Sequence, residues 1–507
     1  MTGDALALLL VNGSLFAAGA GVTRALGAWR RPRELLTVVA TSFLAGAAVF
    51  GVLAQLLYVL GFSLSIPQTL AVCGLLAAAG SLRVLPASPL AGQPLLCRRE
   101  WVAAALVAFP LILLAVDAVY QPLSSWDAWT QWTPKGRALV ELDGLDSSYF
   151  ASPPYGHWHP DYPLLVPSLE AFAFRFGVGV RVAQLEFWFL LAAFAVAVVE
   201  LLRPRVGPLL TWAAALALVW TPKLGAETLA ANADMPLAIF LVLAAVAAWL
   251  WISEDSTPGL GLVAVFGAAA VATKLEGVIE VAIVLAVAVW LALGQSRRSA
   301  LLLAGAGAVT LTGFIPWRLW TVLTGAPTAY SASSMADTVE ALEPNRVPIA
   351  SLLLLRQLFD PEVWLLLVPL ALCALAVGAL ALWRDRVVSL STAVFLVVAL
   401  VTALVIPPRS YEWQDRYWLL FLPALLAGSV LLVAFPRRSR TAGFVVTSVG
   451  GLFCALVAIY LFTPYDFAWQ LGTSTSRVVT PLGLLAAAFA PIVLARASKP
   501  GPPGRVP

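Results

Sequence analysis

The sequence predicts an all-α polytopic membrane protein, on three observations. Of 507 residues, 61% are hydrophobic and 11% charged, with a mean hydropathy of +0.90. A soluble domain carries about 25% charged residues, so this composition does not build a soluble surface. Apolar runs near the ~20 residues needed to cross a bilayer recur from end to end. They are continuous rather than alternating with period two, which excludes a β-barrel.

Taken in order, the expected spans are 4–23, 35–61, 66–85, 101–119, 180–202, 207–221, 234–252, 258–273, 276–294, 299–322, 351–382, 389–406, 417–435, 441–461 and 479–496. That is a bundle of about 13–15 transmembrane helices, the shorter runs setting the range. The first run, "ALALLLVNGSLFAAGAGV", has neither a basic n-region nor a small-residue cleavage site and reads as a retained span. Arginine clusters at 24–33, 97–100, 203–205, 296–298, 384–386 and 437–440 fall between spans. Placing all of them in the cytoplasm gives one consistent alternation, with the N-terminus outside and the C-terminus inside.

On that map the segments 120–179, 222–233, 274–275, 323–350, 407–416 and 462–478 face outward. They hold 13 of the 27 acids and both histidines. The cytoplasmic loops are short and arginine-dominated, with no P-loop and no GxGxxG cradle. Any chemistry therefore belongs to the outer face. Four scattered cysteines suggest neither a disulfide framework nor a metal site. The net charge of +4 reports orientation, not nucleic-acid binding. No internal repeat is visible, and the tail "SKPGPPGRVP" reads as disordered.

The densest outward cluster is "PLSSWDAWTQWTPKGRAL", residues 121–138. Asp127 sits just beyond a span end, where a carboxylate can act as a general base. Trp126, Trp129 and Trp132 could stack on sugar faces or form an interfacial aromatic belt, with Asp127 a helix cap. Lys135 and Arg137 follow closely. Next, "GHWHPDYPLLVPSLEAF" holds the only two histidines, His157 and His159, with Asp161 two residues on. That spacing allows a divalent cation (magnesium, manganese or zinc); the competing reading has both imidazoles packing on Trp158 and hydrogen-bonding the loop. Tyr162 opens a short Pro-punctuated stretch expected to lie in the interface plane.

"TPKLGAETLAANADMPLAIF" brings Lys223, Glu227 and Asp234 near one membrane surface. A carboxylate at a span end is a functional candidate, or the N-cap of the next helix. "ATKLEGVIE" puts Lys274 and Glu276 in a tight turn. Only four of the 31 basic residues are lysines, and Lys135, Lys223 and Lys274 all map outward, consistent with selection for a compact charge or with chance. "IPPRSYEWQDRYWLLFLPALL" presents Arg409 and Arg416 beside Tyr417, either as phosphate ligands or as snorkelling belt arginines. Asp117 and Glu280 are the acids that could lie inside the membrane.

Together, the loop-one aspartate, the stretch behind it, "NADMPLA" at 232–238, "TKLEG" at 273–277 and "DRYWLLFLP" at 415–423 resemble the GT-C superfamily of integral-membrane glycosyltransferases. The closest likeness is to its protein-O-mannosyltransferase and aminoarabinose-transferase branch. The resemblance covers roughly residues 101–460, with extra spans in 1–100 and an outer loop, last span and tail in 461–507. It implies a GT-C-like bundle whose large first outer loop carries an interfacial helix. It also implies inverting transfer of a hexose or pentose from a polyprenyl-phosphate donor to a cell-envelope glycan, lipid or protein acceptor.

On this resemblance Asp127 is the base and Asp234 the second acid. Arg416, Tyr417, Lys274, Lys223 and Arg409 serve the donor phosphate. Trp126, Trp129, Trp132, Lys135, Tyr162 and Glu227 serve acceptor or sugar. The expected location is the inner or plasma membrane, with the site on the extracytoplasmic side. The chain departs from the family in its early extra spans, its single rather than paired loop acid, and its lack of a sizeable C-terminal soluble domain. The alternatives are a lipid-linked polysaccharide polymerase or ligase, whose large loop comes late, and a transporter or flippase, which needs mid-membrane ionisable groups.

Overall fold

The computed structural model describes residues 2–29, 32–82, 97–152, 159–328, 343–365, 367–382, 386–406, 417–434 and 440–497. Among the described residues every regular element is helical. Nine helices among the described residues are long and apolar enough to cross a membrane, ten if Pro208–Val219 and Pro222–Ala230 count as one bent span, and five shorter apolar helices accompany them. The chain is a multi-pass membrane protein. Its helices divide into two compact units, residues 1–200 with 223–331, and 201–222 with 332–507.

The first unit contains α1 (Thr2–Leu26), α2 (Val39–Val59), α3 (Ile66–Ala79), α4 (Arg98–Tyr120), α5 (Thr133–Glu141), α6 (Leu165–Arg175) and α7 (Leu185–Leu202, but for its last two residues). In lipid no hydrophobic force draws helices together, so close backbone approach and polar contacts must. α1 and α2 show both. A Cβ on Gly19 would sit 1.7 Å from the Ser42 carbonyl oxygen, and one on Gly46 1.8 Å from that of Leu15. Beside this seam the Thr23 and Ser42 hydroxyls share a hydrogen bond of 2.8 Å.

After α8 (Pro208–Val219) in the second unit, the first unit resumes with α9 (Pro222–Ala230), α10 (Asp234–Glu254), α11 (Thr257–Val271), α12 (Glu276–Leu293), α13 (Arg297–Thr310) and α14 (Ile315–Thr324). α10 is its hub, with 89% of its apolar window buried, whereas α4 has only 17% buried and presents its apolar surface outward. Residues 222–230, expected as an outer turn, are helical. Pro222 supplies the preset φ of a first helical turn.

α6 differs from its expectation as well. Residues Leu165–Ala173 are buried on every face, among α5, α2 and α1. Its Pro-punctuated sequence makes a helix that protein surrounds, where an amphipathic one with a free polar face is expected.

The second unit holds α8, α15 (Arg346–Phe359), α16 (Leu367–Leu382), α17 (Arg386–Val405), α18 (Tyr417–Ala434), α19 (Arg440–Leu461), α20 (Phe467–Val478) and α21 (Thr480–Ala497). The run 351–382, expected as one span, is broken: the four-residue helix Pro361–Trp364 separates α15 from α16. The Asp360 carboxylate accepts from the Glu362 amide at 2.9 Å, Pro361 has no N–H to continue the preceding ladder, and Leu365 takes φ +49°. Segment 467–478, expected as outer loop, is helix α20. Its N-cap, Asp466, accepts from the Trp469 amide at 2.7 Å.

Candidate active site

One end of the first unit gathers groups from four segments that the charge pattern assigns to one side. The chain leaving α4 reaches Ser125, whose hydroxyl donates to Asn232 Oδ1 at 2.8 Å, tying loop one to the turn before α10. Residues Ala128–Trp132 then form a π-helical turn running into α5. Such wider turns recur at functional sites. Half-buried Asp127 stands at its start, 3.4 Å from the donating Gln131 Nε2.

The three tryptophans part company here. Trp126 and Trp129 are 64% and 52% exposed and meet edge to face at 5.6 Å. Trp132 is enclosed, stacked at 5.6 Å on Tyr162, which in turn stacks at 4.8 Å on His159. Trp126 and Trp129 therefore offer rings to a ligand, while Trp132 and Tyr162 build a wall.

The turn 159–165 is held from several directions. His159 adopts a left-handed φ of +48°, costly for a residue with a Cβ. Lys135 Nζ donates to its carbonyl oxygen at 2.6 Å. Trp317 Nε1 on α14 donates to the Asp161 carbonyl at 2.7 Å, and the Thr328 hydroxyl donates to Asp161 Oδ2 at 2.6 Å. Gln55, a lone amide within α2, accepts from the Leu164 amide at 2.6 Å and donates to the Gly313 carbonyl at 2.7 Å. The Leu165 amide donates to the Ala272 carbonyl at 3.0 Å.

The turn between α11 and α12 closes the cluster. Lys274 Nζ lies 2.9 Å from Asp234 Oδ1 and 3.7 Å from Glu276 Oε1, and 5.9 Å from the centre of the Tyr162 ring. Glu280, one turn into α12, interacts electrostatically with Glu276, Lys274 and Asp234. Asp161 Oδ1, Glu276 Oε2 and Glu280 Oε2 are buried without a hydrogen-bond partner. Carboxylate oxygens in that state gain from any proton or donor that reaches them.

Electrostatics link the pieces. Burial holds the His159 imidazole below its usual pKa, Lys135 acts the same way, and Asp161, Glu276 and Asp127 oppose. Burial likewise pushes Lys135 down to about 7 against the attraction of Asp161. The site thus holds a neutral-leaning imidazole and amine beside several carboxylates, a set suited to moving a proton.

Among the residues expected from sequence, Asp127, Lys135, His159, Asp161, Tyr162, Trp132, Asp234 and Lys274 come together. Lys223 instead pairs with Glu227 at 2.6 Å along α9, both largely buried. Tyr417 is buried at the head of α18 in the second unit. His157, Arg409 and Arg416 lie outside the described residues. Among the described residues no group of three His, Cys, Asp or Glu side chains is placed to hold a metal.

Sequence reasoning did not single out Gln55, Gln131, Trp317 or Thr328. For Gln55 a signal existed, an amide inside an otherwise apolar span. The other three carry none. No family model matches the chain, and comparison with curated proteins and with solved structures finds no match.

Proposed function

We propose that this protein is a membrane glycosyltransferase of the GT-C kind, inverting, acting on a polyprenyl-phosphate-linked hexose or pentose at the extracytoplasmic face of the cell membrane. One observation carries the reading. Carboxylates and lysines from 120–179, 222–234 and 274–280, distant in sequence and joined by the Thr328 hydroxyl, converge at one end of the first unit. A lipid-linked donor needs no cytosolic nucleotide, which fits the missing nucleotide cradle.

In this reaction an acceptor hydroxyl oxygen attacks the anomeric carbon and Asp127 takes its proton. The bond from that carbon to the phosphate oxygen breaks with its electron pair, leaving polyprenyl phosphate. Lys274, already fixed between Asp234 and Glu276, is a preorganised cation for the developing phosphate charge. Exposed Trp126 and Trp129 offer stacking faces for a sugar. The acceptor is a cell-envelope glycan, lipid or protein. A divalent ion on His157, His159 and Asp161 belongs to the same proposal, and activity lost to chelator and restored by the ion would assign it.

The test is transfer from radiolabelled polyprenyl-phosphate sugars by the purified protein. Asp127→Asn, which keeps the shape of the side chain, loses transfer by a factor on the order of 10² to 10⁴ with an unchanged unfolding midpoint. Full activity in that variant removes Asp127 as base.

A further inference from the structure

The second unit holds an apolar cavity of about 410 Å3, open on one side, between α15, α16, α17, α18 and α19. Along α18 its wall runs from Phe421 to Leu432, a rise of about 16 Å at 1.5 Å per residue. That is half of the ~30 Å hydrocarbon core of a bilayer, the depth one leaflet's acyl chain occupies. Ser351 and Ser429 line it, yet both hydroxyls donate to carbonyls of their own helices, at 2.7 Å each. Gly428 faces open space, with nothing within 4 Å of where its Cβ would stand.

Polar groups sit just beyond the Phe421 end of the cavity. Trp418 Nε1 donates to Asn345 Oδ1 at 2.9 Å, joining the start of α18 to the start of α15. The next residue, Arg346, directly precedes cavity-lining Val347. Its guanidinium carbon lies 5.1 Å from the Phe467 ring centre, and its Nε is buried with no hydrogen-bond partner. A guanidinium with donor capacity beside a tryptophan marks the headgroup level of a membrane.

We propose that this cavity holds one acyl chain of an anionic glycerophospholipid whose phosphate is bound by Arg346. The bilayer offers no hydrophobic gain to a chain that moves from lipid into an equally apolar cavity. What favours it is restored dispersion contact along the cavity wall, and the charge-assisted headgroup contact selects the lipid. A polyprenyl carrier is far longer than 16 Å, whereas a single-leaflet acyl chain fits that length. This lipid is neither sugar donor nor acceptor, and its site is built from residues of the second unit alone.

The full chain, purified in detergent and delipidated, is titrated with phosphatidylglycerol or phosphatidylcholine and examined by native mass spectrometry. Lipids retained before delipidation are identified in parallel. One phosphatidylglycerol binds per chain in preference to phosphatidylcholine. Arg346→Gln weakens that binding roughly tenfold, the scale of one charge-assisted hydrogen bond. Gly428→Phe, which fills the cavity, abolishes it with the gel-filtration profile unchanged. Equal binding of the two lipids, unchanged binding in Arg346→Gln, or retained polyprenyl phosphate in place of phospholipid would each overturn the proposal. Should Gly428→Phe aggregate, the Arg346→Gln titration decides alone. Neither variant touches the residues of the transfer reaction, so loss of lipid binding with transfer intact separates this inference from the proposed function.

Discussion

Replacing Lys274 by Met should be among the most damaging single changes in the first unit. The ammonium lies 2.9 Å from Asp234 and 3.7 Å from Glu276, with its side chain 9% exposed. At an effective dielectric near 20, the two attractions are each about 4–6 kcal/mol before desolvation. Desolvation cancels much of this, yet removing one partner of a buried pair still costs about 3–5 kcal/mol, because the remaining charge is left uncompensated. Here two acids lose their cation, and Glu280 feels the same loss.

Asp234→Asn should cost less, since Lys274 keeps Glu276. The double variant, without the Asp234 charge, should recover part of the Lys274→Met loss. The assay is reversible unfolding of purified protein in mixed micelles, read by tryptophan fluorescence over a denaturant series. A Lys274→Met loss below about 1 kcal/mol, or a double variant no more stable than Lys274→Met, would show that these groups are not a buried, mutually dependent set.

Further consequences can be measured in the same assay. Lys135 is held down to about 7, against ~10.4 in an unfolded chain. Between those values only the unfolded state keeps the proton, so stability rises with pH across that window, by at most about 1.4 kcal/mol per unit. Lys135→Met should erase this contribution between pH 8.5 and 9.5, and an unchanged slope would reject it. Gly136→Ala should destabilise by about 1–3 kcal/mol, because its Cβ would meet Glu170 Cβ at 3.0 Å and the Pro167 carbonyl oxygen at 3.1 Å. Gln55→Leu strands the Leu164 amide and the Gly313 carbonyl. It should cost about 2–6 kcal/mol, from two unsatisfied buried groups, and faster amide exchange at Leu164 checks it.

Much of the helical plan was legible because a bilayer permits few alternatives. Backbone polar groups must be satisfied internally, so long apolar runs become helices. The runs 4–23, 234–252 and 441–461 need no more information than that. The break at Asp360–Leu365 depends on a capping carboxylate and a proline inside an apolar stretch, and hydropathy averaging hides both.

At the site, lysines and acids stand out against an arginine-rich, acid-poor background. Hence Asp127, Lys135, Asp234 and Lys274 could be named from sequence. Ring roles could not. Trp126, Trp129 and Trp132 look alike in the chain, but the π-helical turn directs two outward and one inward. Contacts such as Trp317 with Asp161 join residues 156 apart in sequence and leave no local trace.

The supports of the 159–165 turn bear on biosynthesis. The ribosome makes Gln55 and the 159–165 turn in the first third of the chain, but later residues complete their contacts: Ala272, Lys274, Gly313, Trp317 and Thr328. A nascent chain carries this turn without those supports until residues 272–328 are made. The 159–165 turn therefore gains its full set of supports only after residue 328 has been made.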